Sequence, residues 1–225
     1  MSIAEFLNPA VYRPLILAIF LMIFQQFGGI NIVVTYGSQI VQDAGFRDAT
    51  VVSILITAVQ FVATAISCLI VDKLGRRILL IFPGILMAIC MVLLGASRHF
   101  SNFPHSVALI SVLIYIMGFS FGWGPIPWLA MSEIFPTRVR GIASGIVTQV
   151  NWLGVFVVIK TFTQLESAFH PDGAYYFYGA VCFISAIFVF FFFPETKGKT
   201  LEEIEHLFSK KQDLQPYSTQ REDSN

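Results

Sequence analysis

The residues best placed to do chemistry in this chain are carboxamides, and they stand inside long apolar runs. Gln25, Gln26 and Asn31 fall in "FQQFGGIN" (Phe24 to Asn31), Gln60 in "TAVQFVA", and Gln149 and Asn151 in "TQVNW". Ionisable groups are almost absent from the middle of those runs. A charged ligand would need a buried counter-ion, whereas a neutral polyhydroxylated one needs groups that both donate and accept hydrogen bonds, as carboxamides do. The pattern suits a neutral, sugar-like ligand. The plainer alternative is that the amides bond one another across helices as packing glue, worth about 0.6 to 2 kcal/mol a pair.

Glue explains "FQQFGGIN" poorly, because Gln26 and Asn31 on an unbroken helix of 3.6 residues per turn lie roughly 140° apart. Gly28 and Gly29 let the helix loosen, and non-helical backbone at membrane depth is tolerated only where protein or a watery cavity surrounds it. A helix broken there brings the amides together; close helix packing is the other use of a glycine pair. A second interruption, "GWGPIPW" (Gly122 to Trp128), holds Pro125 and Pro127. Each proline removes a backbone donor and clashes with the preceding turn, so a kink or break is expected. Trp128 offers a ring face to the C–H side of a sugar and an indole N–H to a hydroxyl. Its other use, as an interface anchor, fits less well, since Met131 to Glu133 still separate it from the charged border of its span.

The elements that must position these groups are membrane helices. Of 225 residues 56% are hydrophobic and 12% charged, about half the charge of an average soluble domain. Apolar runs of the roughly 20 residues that cross a bilayer occupy 14–36, 51–71, 78–97, 107–131, 141–163 and 175–193. Six transmembrane helices and an all-α membrane fold follow. Arg13, Lys73, Arg76, Arg77, Arg138, Arg140, Lys197 and Lys199 fall at one set of span ends, Arg47 and Arg98 at the other. By the positive-inside rule the first set is cytosolic, which puts both termini there and demands an even number of spans. Lys160 lies near an outer end, where its stem reaches the interface. The segmentation is thus a cytosolic pre-helix segment 1–13, a six-helix domain 14–193, an amphipathic cytosolic helix 194–208 and a disordered tail 209–225. In that helix Leu201, Ile204, Leu207 and Phe208 share a face.

Balanced charge, 14 Lys+Arg against 14 Asp+Glu, offers no argument for a nucleic-acid partner. Cys68, Cys90 and Cys182 lie in apolar runs without metal-ligand spacing, and no metal or cofactor is expected. No Ser/His/Asp set or carboxylate pair stands at mid-membrane, which argues against an enzyme. At the cytosolic borders "DKLGRR" (Asp72 to Arg77), "SEIFPTRVRG" (Ser132 to Gly141) and "PETKGKT" (Pro194 to Thr200) place acids beside basic residues. Such pairs are incidental surface bridges worth about 0 to 1 kcal/mol each, or a network that forms in one conformation and breaks in another.

In order, "QQFGGIN", "DKLGRR", "GWGPIPW", "NW", "PTRVRG" and "PETKGKT" resemble motifs of the sugar porter family of the major facilitator superfamily, over essentially the whole chain. The branch most similar is the intracellular-type glucose transporters and the insect trehalose transporters. The resemblance implies one half of a twelve-helix fold working by alternating access, with substrate at the interface of two six-helix halves. It gives Gln25, Gln26, Asn31, Gln60, Trp128 and Asn151 sugar-binding roles, makes Tyr36 a candidate outer gate beside the hinge prolines Pro125 and Pro127, and joins Asp72, Arg76, Arg77, Glu133, Arg140 and Glu195 in a cytosolic salt-bridge network. Ser120 and Val155 depart from the pattern, standing where well-known glucose transporters carry a glutamate and an asparagine. Met1 falls in what resembles the stretch before the seventh helix. The chain therefore reads as the C-terminal half, expected in the plasma or an endolysosomal membrane with an N-terminal six-helix half or a full-length relative. A non-transporting sugar-binding or regulatory product is the alternative.

Overall fold

The computed structural model describes residues 7–43, 48–100 and 104–208; the tail 209–225 and Arg47 lie outside them. Among the described residues six helical stretches are long and apolar enough to cross a membrane: Pro9–Gln42, Ala49–Leu74, Arg76–His99, Ser106–Ile134, Arg140–His170 and Asp172–Phe192. They are built from helices α1 (Pro9–Phe27), α2 (Ile30–Asp43), α3 (Ala49–Leu74), α4 (Arg76–His99), α5 (His105–Gly118), α6 (Ile126–Ile134) and α7 (Arg140–Phe192), with a short α8 (Leu201–Phe208) after the last span.

The first helix starts at Pro9, ahead of the expected boundary at residue 14. Asn8 Oδ1 accepts the Ala10 amide at 3.0 Å, and Pro9 suits the first helical position, where its missing N–H would have no partner anyway. Arg13 and Pro14 both lie inside the helix, and the charge on Arg13 is what makes the apolar run begin later than the helix does. The fifth and sixth spans are the two legs of α7, which leaves helical angles at Phe169 and at His170, whose φ of 60° is the one positive value outside glycine among the described residues. The link expected over 164–174 shrinks to that bend.

The fourth span is interrupted ahead of its prolines. Between α5 and α6 the residues Phe119–Trp123 form a π turn, closed by the Gly124 amide donating to the Phe119 carbonyl at 2.7 Å. Pro125 and Pro127 follow at the N-terminal cap and first turn of α6, where a missing donor costs little. The π turn presses into α4: a Cβ built on Gly122 would lie 1.8 Å from the Leu79 carbonyl oxygen. Trp123 is buried beside it and donates its indole N–H to the Leu80 carbonyl at 2.9 Å.

Around these breaks α1, α4, α5 and α7 pack closely, burying Leu21, Met22, Leu80, Met91 and Tyr178. The outer faces present Phe61, Leu69 and Phe82, each about three-quarters exposed, which suits hydrocarbon and would not suit water. Arg13 Nη1 donates to the Phe208 carbonyl at 3.1 Å, so the start of the first span and α8 share one face of the bundle. On the opposite face His99 Nδ1 lies 2.9 Å from Asp172 Oδ2, tying the third span to the sixth.

The amphipathic helix expected over 194–208 begins only at Leu201. Thr200 and Glu203 form a capping box, with the Thr200 amide on Glu203 Oε2 at 2.9 Å and the Glu203 amide on Thr200 Oγ1 at 3.3 Å. Its buried stripe is Ile204 and Phe208; Leu201 and Leu207 are exposed.

Gly122→Ala is expected to lower the thermal midpoint of the detergent-purified protein sharply. The clash is with backbone, so its cost belongs at or above the top of the about 1 to 3 kcal/mol of overpacked cores. Gly145, where an added methyl group would meet nothing within 4 Å, is the control: Gly145→Ala should leave the midpoint unchanged or raise it slightly. Equal midpoints for the two variants would refute this account of the π turn.

Candidate functional site

The glycine pair breaks the first span as its composition suggests. Gly28 still donates to the Phe24 carbonyl at 2.8 Å, Gly29 turns to φ 96°, and the chain resumes as α2. A side chain on Gly29 would be strained at that φ and would meet Met91 Cε and the Tyr178 ring at 3.0 Å. Across this break the amides form one row. Asn31 Nδ2 donates to Gln26 Oε1, Gln26 Nε2 to Gln25 Oε1 at 3.3 Å, and Asn151 Nδ2 to the same Gln25 oxygen at 2.7 Å. The row Asn31–Gln26–Gln25–Asn151 thus joins α2, α1 and α7. Gln25, Gln26 and Asn151 are buried and Asn31 half-buried.

Gln25 also anchors the other break. Its Nε2 donates to the Trp123 carbonyl at 2.6 Å and the Gly124 carbonyl at 3.1 Å, so one side chain bridges the two interrupted spans. Trp128, one helical turn beyond Gly124, is 39% exposed and makes no hydrogen bond among the described residues. Gln60 is half-buried on α3 and takes no part in the row, and Gln149 is exposed. Tyr36 is half-buried on α2, its ring centroid 5.1 Å from that of Phe162 on α7. Ser120, at the glutamate position of the resemblance, is buried in the π turn with its hydroxyl unpartnered.

Several groups at the breaks are not evident from the motifs. Tyr115 on α5 donates its hydroxyl to the Gly28 carbonyl at 2.8 Å, and Cys182 Sγ lies 3.4 Å from the same oxygen. Ser67 Oγ donates to the Phe121 carbonyl at 2.8 Å. A lone tyrosine in the middle of "LISVLIYIMG" is the one signal that points to such a role.

At the face shared by the start of the first span and α8, Arg76 gathers the acids. Its Nη2 lies 2.8 Å from both Asp72 Oδ1 and Glu133 Oε1, its Nε 3.1 Å from Glu133 Oε1, and Thr196 Oγ1 donates to Glu133 Oε2 at 2.6 Å. Glu195 caps α4 from across the fold, accepting the amides of Arg76 at 3.0 Å and Arg77 at 3.1 Å. Two expected members stand apart. The Arg140 guanidinium donates to the Phe135 carbonyl at 3.1 and 3.2 Å, closing the turn before α7. The Arg77 side chain turns outward to the Phe190 carbonyl, and only its backbone joins Glu195.

Residues 1–208 match the family described as "Sugar (and other) transporter". The chain belongs to that sugar transporter family. It is 44% identical over 200 residues to the facilitated trehalose transporter Tret1-1 of Drosophila simulans, covering 86% of this chain and 23% of that protein. To the solute carrier family 2, facilitated glucose transporter member 8 of Mus musculus it is 37% identical, covering 88% and 46%. The major facilitator superfamily proton:xylose symporter XylE, solved bound to 6-bromo-6-deoxy-D-glucose, superposes with a TM-score of 0.79 at 37% identity, over 87% of this chain and 42% of that one. The chain therefore spans less than half the length of these relatives, and its six helices have the fold of one half of such a transporter.

Gln25→Leu is expected to lower the thermal midpoint more than Gln26→Leu. The first strands the Trp123 and Gly124 carbonyls and the Asn151 amide, at about 1 to 3 kcal/mol for each group left unsatisfied; the second disturbs only neighbouring amides. Midpoints lowered equally, compared in the same detergent, would show that Gln25 does not hold the two breaks together.

Proposed function

We propose that this chain is the C-terminal, sugar-binding half of a carrier that moves a small neutral sugar across a membrane by alternating access. The row Asn31–Gln26–Gln25–Asn151 carries the reading: uncharged donors and acceptors are strung across a broken span in a family of sugar transporters. Sugar hydroxyls take over hydrogen bonds that the amides now make to one another, so binding exchanges like for like. Gln26 and Asn31, on the α2 side of Gln25, are the most readily released, because Gln25 is also committed to two carbonyls. Trp128 lays its ring against the sugar, and Gln60 approaches from α3. Tyr36 closes the outer path, and the break before Pro125 and Pro127 lets the fourth span bend. The Asp72–Arg76–Glu133 cluster, with Glu195 and Thr196, latches the cytosolic side, where the basic border places both termini. The relatives named for trehalose and glucose, and the xylose symporter, agree in taking neutral sugars. The second half of the cavity comes from an N-terminal six-helix half, in the plasma or an endolysosomal membrane.

Sugar uptake into vesicles holding this chain alone, and then with a related N-terminal half, tests the proposal. Uptake is expected only with both. Saturable uptake by the chain alone would overturn it. In the two-half carrier, Gln26→Ala and Trp128→Ala should each weaken sugar binding by roughly 5- to 150-fold, the equivalent of about 1 to 3 kcal/mol, with normal membrane insertion; unchanged binding would displace the site.

The latch makes a separate prediction. Glu133→Gln removes the anion that Arg76 and Thr196 share, so cysteines placed along 128–145 should become more accessible to a reagent applied from the cytosolic side. Unaltered accessibility would reduce the cluster to static surface charge.

A further inference from the structure

A groove runs along the outer seam between α4 and the sixth-span leg of α7. Two cavities form it, of about 170 and 420 Å³, and they share Ile85 and Phe183 as lining residues. Small residues, Ala88 and Gly179, line the larger part, and Phe190 lines the end nearest Arg77 at the start of α4. Every residue lining the groove is apolar or aromatic, and the nearby Phe82, Phe191 and Phe192 are exposed apolar side chains of the kind that suits hydrocarbon. From Ile81 to Leu93 the groove follows twelve residue steps of α4, about 18 Å at 1.5 Å per residue, which exceeds the roughly 15 Å depth of one leaflet of a 30 Å core. It has room for a full acyl chain.

A cation stands at its head. The Arg77 guanidinium lies 5.3 Å from the centre of the Phe190 ring and donates to the Phe190 carbonyl, while its Nε is buried without an acceptor. A guanidinium carries five N–H donors, and most of these are uncommitted. Lys197 Nζ donates to the Lys73 carbonyl, which holds a second cation on the same rim with Lys73 itself exposed beside it. The nearby acids are otherwise engaged: Glu195 on the amides of Arg76, Arg77 and Lys197, and Asp72 and Glu133 on Arg76.

We propose that this seam binds an anionic phospholipid, with one acyl chain in the groove and the headgroup phosphate on Arg77, flanked by Lys73 and Lys197. Charge selects the headgroup. Lys73, Arg76, Arg77 and Lys197 stand against Asp72, Glu133 and Glu195, four cations to three anions, so the rim keeps a net positive charge that the headgroup of phosphatidylglycerol neutralises and the ammonium of a zwitterionic lipid opposes. The planar guanidinium suits a phosphate, which accepts two parallel N–H bonds. The ring of Phe190 under Arg77 joins the two parts, since the same side chain supports the cation and lines the groove.

The test is native mass spectrometry of the purified chain in detergent, titrated with phosphatidylglycerol or phosphatidylcholine of identical acyl chains. The parent should retain phosphatidylglycerol at least tenfold more tightly, and the preference should shrink as ionic strength rises. Arg77→Gln should abolish the preference and leave phosphatidylcholine retention unchanged. Ala180→Trp, at an exposed residue lining the wider part of the groove, should weaken retention of both lipids. Equal retention of the two lipids by the parent would overturn the proposal without recourse to any variant. So would a preference that survives Arg77→Gln, or a second copy of the chain occupying the seam in place of lipid.

Discussion

In the middle of a bilayer the backbone has no solvent to bond, so a carbonyl freed by an interrupted helix must find its donor within the protein. Two spans of this chain are interrupted, and the rest of the bundle is arranged around that obligation. Gln25 holds the Trp123 and Gly124 carbonyls, Tyr115 holds that of Gly28, Ser67 that of Phe121, and Trp123 binds the Leu80 carbonyl of the helix it presses against. Each donor comes from a different span than its acceptor. The breaks therefore dictate which helices adjoin, and with what rotation.

The candidate site inherits its shape from this arrangement. An amide that only glued helices would be satisfied by one partner, but Gln25 offers two hydrogens to backbone and its oxygen to Asn151 and Gln26. Its neighbours are consequently held by exchangeable amide bonds beside a fixed one. A polar row with one immobile member and several replaceable ones suits the hydroxyl-rich ligand proposed for it. It is also protected from collapse, since the fixed member is bound to the breaks themselves.

Much of this is legible in the residues, because hydropathy, glycine pairs and charged borders are local signals. The six spans follow from them, the glycine pair at Gly28–Gly29 offers a break as one of two uses, and the family resemblance adds the meeting of Asp72, Arg76 and Glu133. What stays hidden depends on helix rotation and on partners far along the chain. "GWGPIPW" shows Trp128 as a ligand-facing ring, but the burial of Trp123 against α4 is set by tertiary packing that the motif does not display. The π turn begins at Phe119, three residues ahead of Gly122 where "GWGPIPW" starts, so its onset is not marked by the glycines and prolines that follow. Arg140 shares the motif "SEIFPTRVRG" with Glu133 seven residues earlier but finds the Phe135 carbonyl closer at hand. Residues 194–200 stay unwound because Glu195 is needed at the start of α4.

The bend at Phe169 and His170 constrains how the bundle closes. The fifth and sixth spans meet at two non-helical residues, so they form a tight helical hairpin whose legs have little freedom to separate. Asn151 lies on the first leg of that hairpin, while Met22 and Gln25, its partners, lie on the first span more than a hundred residues away in sequence. The polar row is therefore complete only once the hairpin has packed against the first span.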